Sequence, residues 1–128
     1  MVTGGTKDLG RAVAEELLGL GTQVLITARN ADEVAQVVAA WTSRSLPAVG
    51  IAADVSAEAG RTAIFAQVRT HLQGLDLFVN NVGTNVCKGF NDYTPVEYER
   101  LFQVNLLSTV EMCRAAYPWL KASTTPPS

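Results

Sequence analysis

The sequence has few of the features that mark nucleic-acid-binding and membrane proteins. Charged residues make up only 17% of the 128 residues, and the net charge of −2 provides no basic surface for nucleic acid or acidic lipid. No apolar run approaches the length of about 18 residues that a membrane span needs. No basic segment leads into an apolar one at the N-terminus. We therefore expect no nucleic-acid or membrane partner, and a cytoplasmic chain, with an organelle left open because the N-terminus resembles a truncated one.

Metal ligands and disulfide partners are also scarce. The chain has one histidine and two cysteines, Cys87 and Cys113, which lie far apart and belong to no Cys-x-x-Cys or Cys/His cluster. This spacing predicts neither a zinc site nor a disulfide framework, and it fits a reducing compartment. We expect no bound metal.

Apolar segments of strand length and of helix length alternate four times along the chain. The apolar and β-branched run at residues 23–28 is typical of a parallel strand that is covered on both faces, and residues 75–79 are expected to supply a fourth buried strand. The alternation predicts an α/β fold, a Rossmann-type doubly wound parallel sheet of about four strands in the order 3-2-1-4. One domain is expected over residues 1–121, followed by a disordered tail at 122–128.

The helices are predicted from apolar stripes and capping residues. The expected buried stripe of the first helix is Leu9, Val13, Leu17 and Leu20. The expected stripe of the last helix is Tyr98, Leu101, Phe102, Asn105, Thr109, Met112 and Ala116. The expected N-caps are Asn30 or Asp32 for the second helix, Ser56 for the third, and Thr94 with Glu97 in a capping box for the last.

The run Thr3-Gly4-Gly5-Thr6-Lys7-Asp8-Leu9-Gly10 lies between the first strand and the first helix. Glycines let an anion approach the backbone, and the helix N-terminus offers unpaired N–H groups and a partial positive charge. The run therefore predicts a phosphate cradle, although similar turns occur in α/β folds that bind no nucleotide. The Asp8 carboxylate is unfavourable beside a pyrophosphate, unless it turns outward and caps the helix.

Polar residues stand where the next strands end. Arg29 follows the second strand, where dinucleotide-binding folds meet the adenosine ribose, and it can pair with the 2′-phosphate of NADP. A solvated arginine at a helix start is the alternative. Asp54 follows the third strand and can accept a hydrogen bond from an amine such as that of adenine, or act as an ordinary cap.

Three asparagines complete the candidate set. Asn80 and Asn81 follow the fourth strand, where carboxamides can tie adjacent strand ends together, and Gly83 leaves room for a ribose; a plain turn is the alternative. Asn105 lies on the predicted buried stripe of the last helix, where a carboxamide needs partners. It can hold a water near the site or satisfy a contact between helices.

Taken together, these features resemble the N-terminal half of a short-chain dehydrogenase/reductase. That family has the pattern T-G-x-x-x-G-x-G, then an acidic residue after the third strand, N-N-A-G after the fourth, and an Asn in the following helix. The stretches VTGGTKDLGRAVAEELLGLG, ITARN and VNNVGTN are particularly similar to tropinone reductases and their plant relatives. The resemblance covers essentially the whole chain.

The resemblance implies NADP(H) as cofactor and a small ketone or alcohol as substrate. The residues implied for the pyrophosphate and adenosine side are Gly4, Thr6, Lys7, Leu9 and Gly10. Those implied for the 2′-phosphate, the adenine and the riboses are Arg29, Asn30, Asp54, Val55, Asn81, Val82 and Gly83. Asn105 corresponds to the Asn of the family's Asn-Ser-Tyr-Lys tetrad, which holds a water in the proton relay.

The sequence departs from the family in three places. Asp8 replaces the second glycine, the first strand is short, and the chain reaches Ser128 before the positions of the family's Ser and Tyr-x-x-x-Lys. Tyr117-Pro-Trp-Leu-Lys121 has that spacing but lies only twelve residues after Asn105, so packing at a helix end is the favoured interpretation. We expect a chain that is inactive alone; the alternative is a non-catalytic nucleotide-binding or dimerising module, associating with itself or a relative through the last helix.

Overall fold

The computed structural model describes residues 1–124; residues 125–128 of the predicted tail lie outside this range. The strands are β1 (Val2–Thr3), β2 (Val24–Ala28) and β3 (Ala48–Ala52). The α-helices are α1 (Asp8–Gly19), α2 (Ala31–Thr42), α3 (Glu58–Gln67), α4 (Pro95–Phe102) and α5 (Ser108–Lys121). A π-helical segment, Val68–Leu72, continues α3, and another, Gln103–Leu107, joins α4 to α5. A 3-10 turn, Phe90–Asp92, lies in the long connection between the π-helical segment Val68–Leu72 and α4.

The three strands form a parallel sheet with β2 in the middle, which confirms the α/β class. The predicted fourth strand at 75–79 is wrong in extent, because this segment meets β1 only through an isolated parallel bridge between Val2 and Val79. The Thr3 N–H donates to the Val79 carbonyl at 3.0 Å, and the Val79 N–H donates to the Met1 carbonyl at 2.9 Å. The segment thus follows the edge of β1 that β2 leaves open.

Apolar side chains cover both faces of the sheet, as a doubly wound fold requires. One cluster joins β2 to α3 and α5 through residues that include Leu25, Ile64 and Met112. The other joins β2 to α1 and α2 through residues that include Ile26, Leu18 and Trp41. None of the helices within residues 1–124 is long and apolar enough to cross a membrane.

Helix α1 buries only part of the predicted stripe. Leu9 and Leu20 are 69% and 73% exposed, whereas the buried residues are Gly10, Ala14 and Leu18. The small residues Gly10 and Ala14 let the helix backbone approach the sheet closely. The predicted stripe is therefore wrong for Leu9 and Leu20, whereas Val13 and Leu17 are half-buried and pack against the core.

The last predicted helix is interrupted and only half buried. Met112 and Ala116 are buried as predicted, but Phe102 is 61% exposed and Asn105 is exposed. The predicted apolar stripe is therefore wrong over α4 and the π-helical segment, and correct over α5.

Two of the predicted caps are confirmed and one is wrong. Asn30 Oδ1 accepts hydrogen bonds from the backbone N–H groups of Asp32 and Glu33 at 3.0 and 3.1 Å. Thr94 and Glu97 form a capping box at the start of α4. The N-cap of α3 is Ala57, which offers no side-chain acceptor, so the prediction of Ser56 is wrong by one residue.

Candidate functional site

A cleft of about 590 Å³ opens at the carboxyl ends of the parallel strands, where open α/β sheets bind their ligands. It brings together residues that lie far apart in the sequence, from Gly4 to Val104. The predicted cofactor-binding residues that line it are Gly4, Thr6, Lys7, Leu9, Arg29, Asn30, Asp54, Val55, Asn81, Val82 and Gly83. Of the predicted set, Gly10 does not line the cleft.

Gly10 packs behind the cleft wall. A Cβ atom built on Gly10 would lie 2.1 Å from the carbonyl oxygen of Gly4 and 2.4 Å from Asn81 Nδ2. Gly4 itself has a φ of +63°, which glycine adopts without strain. The first turn of α1 is therefore pressed against the glycine turn, which places the N-terminus of α1 at the cleft.

Within residues 1–124, no side chain caps the N-terminus of α1. Its N-cap is Lys7, whose side chain accepts nothing, so the backbone N–H groups of the first turn are free of side-chain acceptors there. Asp8 is exposed, lines the cleft and has a φ of +47°. The alternative in which Asp8 caps the helix is therefore wrong, and its carboxylate lies among the groups of the cleft.

The ammonium group of Lys7 is paired inside the cleft. Lys7 Nζ donates to Glu33 Oε1 at 2.7 Å, and the Thr6 hydroxyl donates to Glu33 Oε2 at 3.4 Å. Glu33 comes from the first turn of α2, and the sequence prediction did not include it. The sequence analysis assigned Lys7 to the pyrophosphate side of a cofactor. In the structure its ammonium group already forms an ion pair with the Glu33 carboxylate.

Asp54 is held by the residues that follow it. Its Oδ1 accepts from the Ser56 hydroxyl at 2.6 Å and from the Ser56 N–H at 2.9 Å. These hydrogen bonds, with the charges of Arg29 and Arg100, lower the pKa of the Asp54 carboxyl below its ordinary value. The carboxylate is ionised at neutral pH, and its Oδ2 receives no hydrogen bond from any residue in the described part of the chain.

The asparagines after residue 79 tie the strand ends together, as predicted. The Asn81 N–H donates to the Thr3 hydroxyl at 2.9 Å, and the Thr3 hydroxyl lies 3.2 Å from Asn80 Oδ1. Asn81 Nδ2 donates to the Gly4 carbonyl at 3.3 Å. Thr3 and Asn81 therefore connect β1, the glycine turn and the segment that leads to Gly83.

Asn105 lies beside the cleft and does not line it. Its Oδ1 accepts from the Thr84 N–H at 2.7 Å, and its Nδ2 donates to the Thr84 carbonyl at 2.8 Å. Asn105 belongs to the π-helical segment, a type of distortion that is frequent at functional sites. Both ends of the carboxamide are thus used to fix Thr84 and, next to it, Gly83.

Tyr117 and Lys121 approach each other on α5, with Lys121 Nζ 5.9 Å from the Tyr117 ring centroid. Helix α5 continues through Pro118, so both residues lie in one helix. Neither residue lines the cleft. Tyr117 is 61% exposed, so its prediction as a packing residue is wrong, whereas Trp119 packs against the core.

The cleft carries equal numbers of positive and negative side chains. The cations are Lys7, Arg29 and Arg100, and the carboxylates are Asp8, Glu33 and Asp54. Sequence reasoning missed Glu33 and Arg100, because nothing in their local sequence places them at the cleft. No group of three His, Cys, Asp or Glu side chains suited to a metal ion occurs within residues 1–124.

Comparisons with known proteins agree with this architecture. The family model described as short chain dehydrogenase matches residues 1–125. A chloroplastic tropinone reductase homologue of Arabidopsis thaliana is 39% identical over 124 residues, 96% of this chain and 38% of that protein. A tropinone reductase homologue of Datura stramonium is 30% identical, over 96% of this chain and 46% of that protein. The chain thus spans less than half the length of these relatives.

Solved structures show the same fold. A short-chain dehydrogenase from Streptomyces avermitilis is 30% identical, with a TM-score of 0.81 over 92% of this chain and 42% of that one. L-Sorbose reductase from Gluconobacter frateurii, solved with NADPH and L-sorbose, has a TM-score of 0.88 at 23% identity, over 94% of this chain and 46% of that one. The match of the family model over almost all residues, and the similarity to tropinone reductase homologues, show that this chain belongs to the short-chain dehydrogenase/reductase family.

Proposed function

We propose that the chain binds NADP(H) in the cleft and forms the cofactor-binding part of a reductase that acts on a small ketone or alcohol. The observation that carries this proposal is the convergence of the uncapped N-terminus of α1, Arg29, Asp54 and Gly83 on one cleft. The relatives are named tropinone reductase homologues, which supports the class of substrate.

The groups of the cleft fit a dinucleotide. Its volume of about 590 Å³ lies within the range of small-molecule sites. The N-terminus of α1 suits the pyrophosphate, because its first-turn N–H groups have no side-chain acceptor. Asp54 Oδ2 offers a free acceptor for an exocyclic amine, and a Cβ on Gly83 would meet only Asn105 Oδ1, at 3.5 Å, which leaves open space for a ribose.

Arg29 supports NADP(H) over NAD(H). It is exposed at the end of β2, lines the cleft and forms no salt bridge within residues 1–124. A guanidinium group in this place can pair with a 2′-phosphate through two charge-assisted hydrogen bonds. Lys7 and Asn30 are less available to a phosphate. Lys7 forms an ion pair with Glu33, and the side-chain oxygen of Asn30 caps α2.

In the proposed enzyme the nicotinamide supplies hydride when the cofactor is bound. The residues of this chain bind and orient it, and Asn105 fixes the backbone at Thr84 beside Gly83. Tyr117 and Lys121 have the family's spacing but lie outside the cleft lining. We therefore propose that residues 1–128 bind NADP(H) without reducing ketones on their own.

A second candidate function is a non-catalytic nucleotide-binding or dimerising module. Apolar side chains are exposed along α4, the π-helical segment and α5: Val96, Phe102, Leu106, Leu107 and Val110. Such a surface favours association with another copy or a related chain. Sedimentation at several concentrations tests the self-association, and a chain that stays monomeric would contradict dimerisation of this chain with itself.

Calorimetric titration with NADPH and NADH tests the primary proposal. We expect tighter binding of NADPH, and a loss of about 10- to 100-fold for NADPH in Arg29→Ala with little change for NADH. Arg44→Ala is the matched control, because Arg44 is an exposed arginine outside the cleft. Equal affinity of wild type and Arg29→Ala for NADPH would remove the role of Arg29. NADPH-dependent turnover of a ketone by the isolated chain would contradict the proposed inactivity.

A further inference from the structure

Glu33 places a carboxylate in the cleft, against the ammonium group of Lys7 and the hydroxyl of Thr6. Its Oε1 lies 2.7 Å from Lys7 Nζ, and its Oε2 lies 3.4 Å from the Thr6 hydroxyl. The side chain of Glu33 is 32% exposed and that of Lys7 is 66% exposed, so the carboxylate is the more enclosed partner. The ammonium group of Lys7 is thus held towards α2.

The N-terminus of α2 also stabilises the Glu33 carboxylate in this position. Glu33 lies in the first turn of α2, where the helix dipole stabilises a negative charge, and Asn30 Oδ1 accepts from its backbone N–H. Arg29 directly precedes this cap. An anion that binds to Arg29 would therefore lie near the N-terminus of α2 and the Lys7 ammonium group, and the Glu33 carboxylate already interacts with both.

We propose that Glu33 is a specificity-determining residue that competes with the 2′-phosphate of NADP(H) for Lys7. This inference rests on the proposed function. While Glu33 holds Lys7, the discrimination between a 2′-phosphate and a 2′-hydroxyl depends mainly on Arg29. Removing the charge of Glu33 releases Lys7 and removes one repulsive charge, and both effects favour the phosphorylated nucleotide.

The test compares 2′,5′-ADP with 5′-AMP, which differ at the group in question and need no catalysis. Calorimetry gives the ratio of the 5′-AMP Kd to the 2′,5′-ADP Kd. We expect Glu33→Gln to raise this ratio about three- to tenfold, since the pair is partly exposed and screened. Lys7→Met should lower the ratio more strongly in the Glu33→Gln background than in wild type.

Asp32→Asn is the matched control, because Asp32 lies in the same helical turn but does not line the cleft. It should change the ratio less than twofold at about 0.15 M salt. Glu33→Ala should shift the ratio in the same direction as Glu33→Gln, and circular dichroism checks that each variant is folded.

Two results would overturn the inference alone. An unchanged or lowered ratio in Glu33→Gln would do so, and a lowered one would make Glu33 a positioning partner of Lys7. A gain in Glu33→Gln that persists when Lys7→Met is added would show that Lys7 is not the group released. If neither nucleotide binds to wild type or to any variant, the proposed function fails as well, which separates the two failures.

Discussion

The backbone carbonyl of Gly4 and the Cα of Gly10 are so close that no side chain fits between them. A Cβ on Gly10 would stand 2.1 Å from the Gly4 oxygen, far inside van der Waals contact. Gly4 and Gly10 lie on opposite sides of the turn that contains Lys7 and Asp8. Because of this close approach, the N-terminus of α1 is fixed against the end of β1, and the cleft forms above the turn.

Gly10→Ala is expected to destabilise the fold by about 1–3 kcal/mol, because the methyl group must displace backbone rather than a flexible side chain. It should also weaken NADPH binding by shifting the start of α1. Gly19→Ala is the control in the same helix, since a Cβ there meets nothing within 4 Å. That variant should gain up to about 1 kcal/mol from the higher helix propensity of alanine. Urea unfolding measures both, and equal stabilities of the two variants would contradict the packing argument.

The course of α1 shows what the sequence could and could not predict. The position of the helix between two strands followed from its apolar residues and flanking glycines, and the structure confirms it. Its buried face followed only in part: Val13 and Leu17 pack against the core, but a pattern of large apolar residues gives no weight to Gly10 and Ala14. Close approach between a helix and a glycine turn is a tertiary property, and only the structure shows it.

The sequence likewise predicted some residues of the cleft and not others. Residues at strand ends, such as Arg29 and Asp54, were predictable because the carboxyl ends of parallel strands meet at one edge of the sheet. Glu33 was not, because its role depends on the side chain of Lys7 reaching across from another element. Likewise, the fourth strand was read from its apolar residues, although only the bridge at Val79 forms.

Asp8→Asn tests the effect of a negative charge beside the proposed pyrophosphate site. Asparagine tolerates the positive φ of +47°, so the backbone should keep its conformation while the charge is lost. We expect NADPH to bind about three- to tenfold more tightly, since Asp8 is exposed and its repulsion is screened. Fluorescence titration at two salt concentrations measures the gain, which should shrink at the higher one.

Asp8→Gly separates charge from backbone strain. It removes the same charge and also the cost of a left-handed conformation at a residue with a Cβ, which is about 1 kcal/mol. Its gain in NADPH affinity should match that of Asp8→Asn. A gain in Asp8→Gly alone would show that backbone conformation, rather than charge, limits binding.

Thr3→Val tests the tie between β1 and the asparagines. The substitution keeps the side-chain volume but removes the hydroxyl that accepts from the Asn81 N–H at 2.9 Å. Leaving that donor without its partner should cost about 1–3 kcal/mol in free energy of unfolding. Thr70→Val, at an exposed threonine of the π-helical segment after α3, should stay within about 0.5 kcal/mol. A Thr3→Val chain as stable as wild type would show that Asn81 finds another acceptor.

Acid should weaken the start of α4 through Glu97. Hydrogen bonds from Lys88 and from the Thr94 N–H lower the pKa of the Glu97 carboxyl from 4.5 to about 2. Because the pKa is lower in the folded chain than in the unfolded one, this interaction stabilises the fold fully above about pH 4.5. The contribution is lost as the pH falls from there to about 2.

The urea midpoint of wild type and of Glu97→Gln, measured from pH 2 to pH 7, checks this expectation. The difference between the two chains should be constant above about pH 5 and should close towards pH 2, because a protonated Glu97 resembles glutamine in charge. Glu99→Gln is the control in the same helix, since Glu99 forms no salt bridge within residues 1–124. A difference between the two chains that does not vary with pH would show that Glu97 stabilises the fold through packing. It would contradict a stabilising role of the ionised carboxylate.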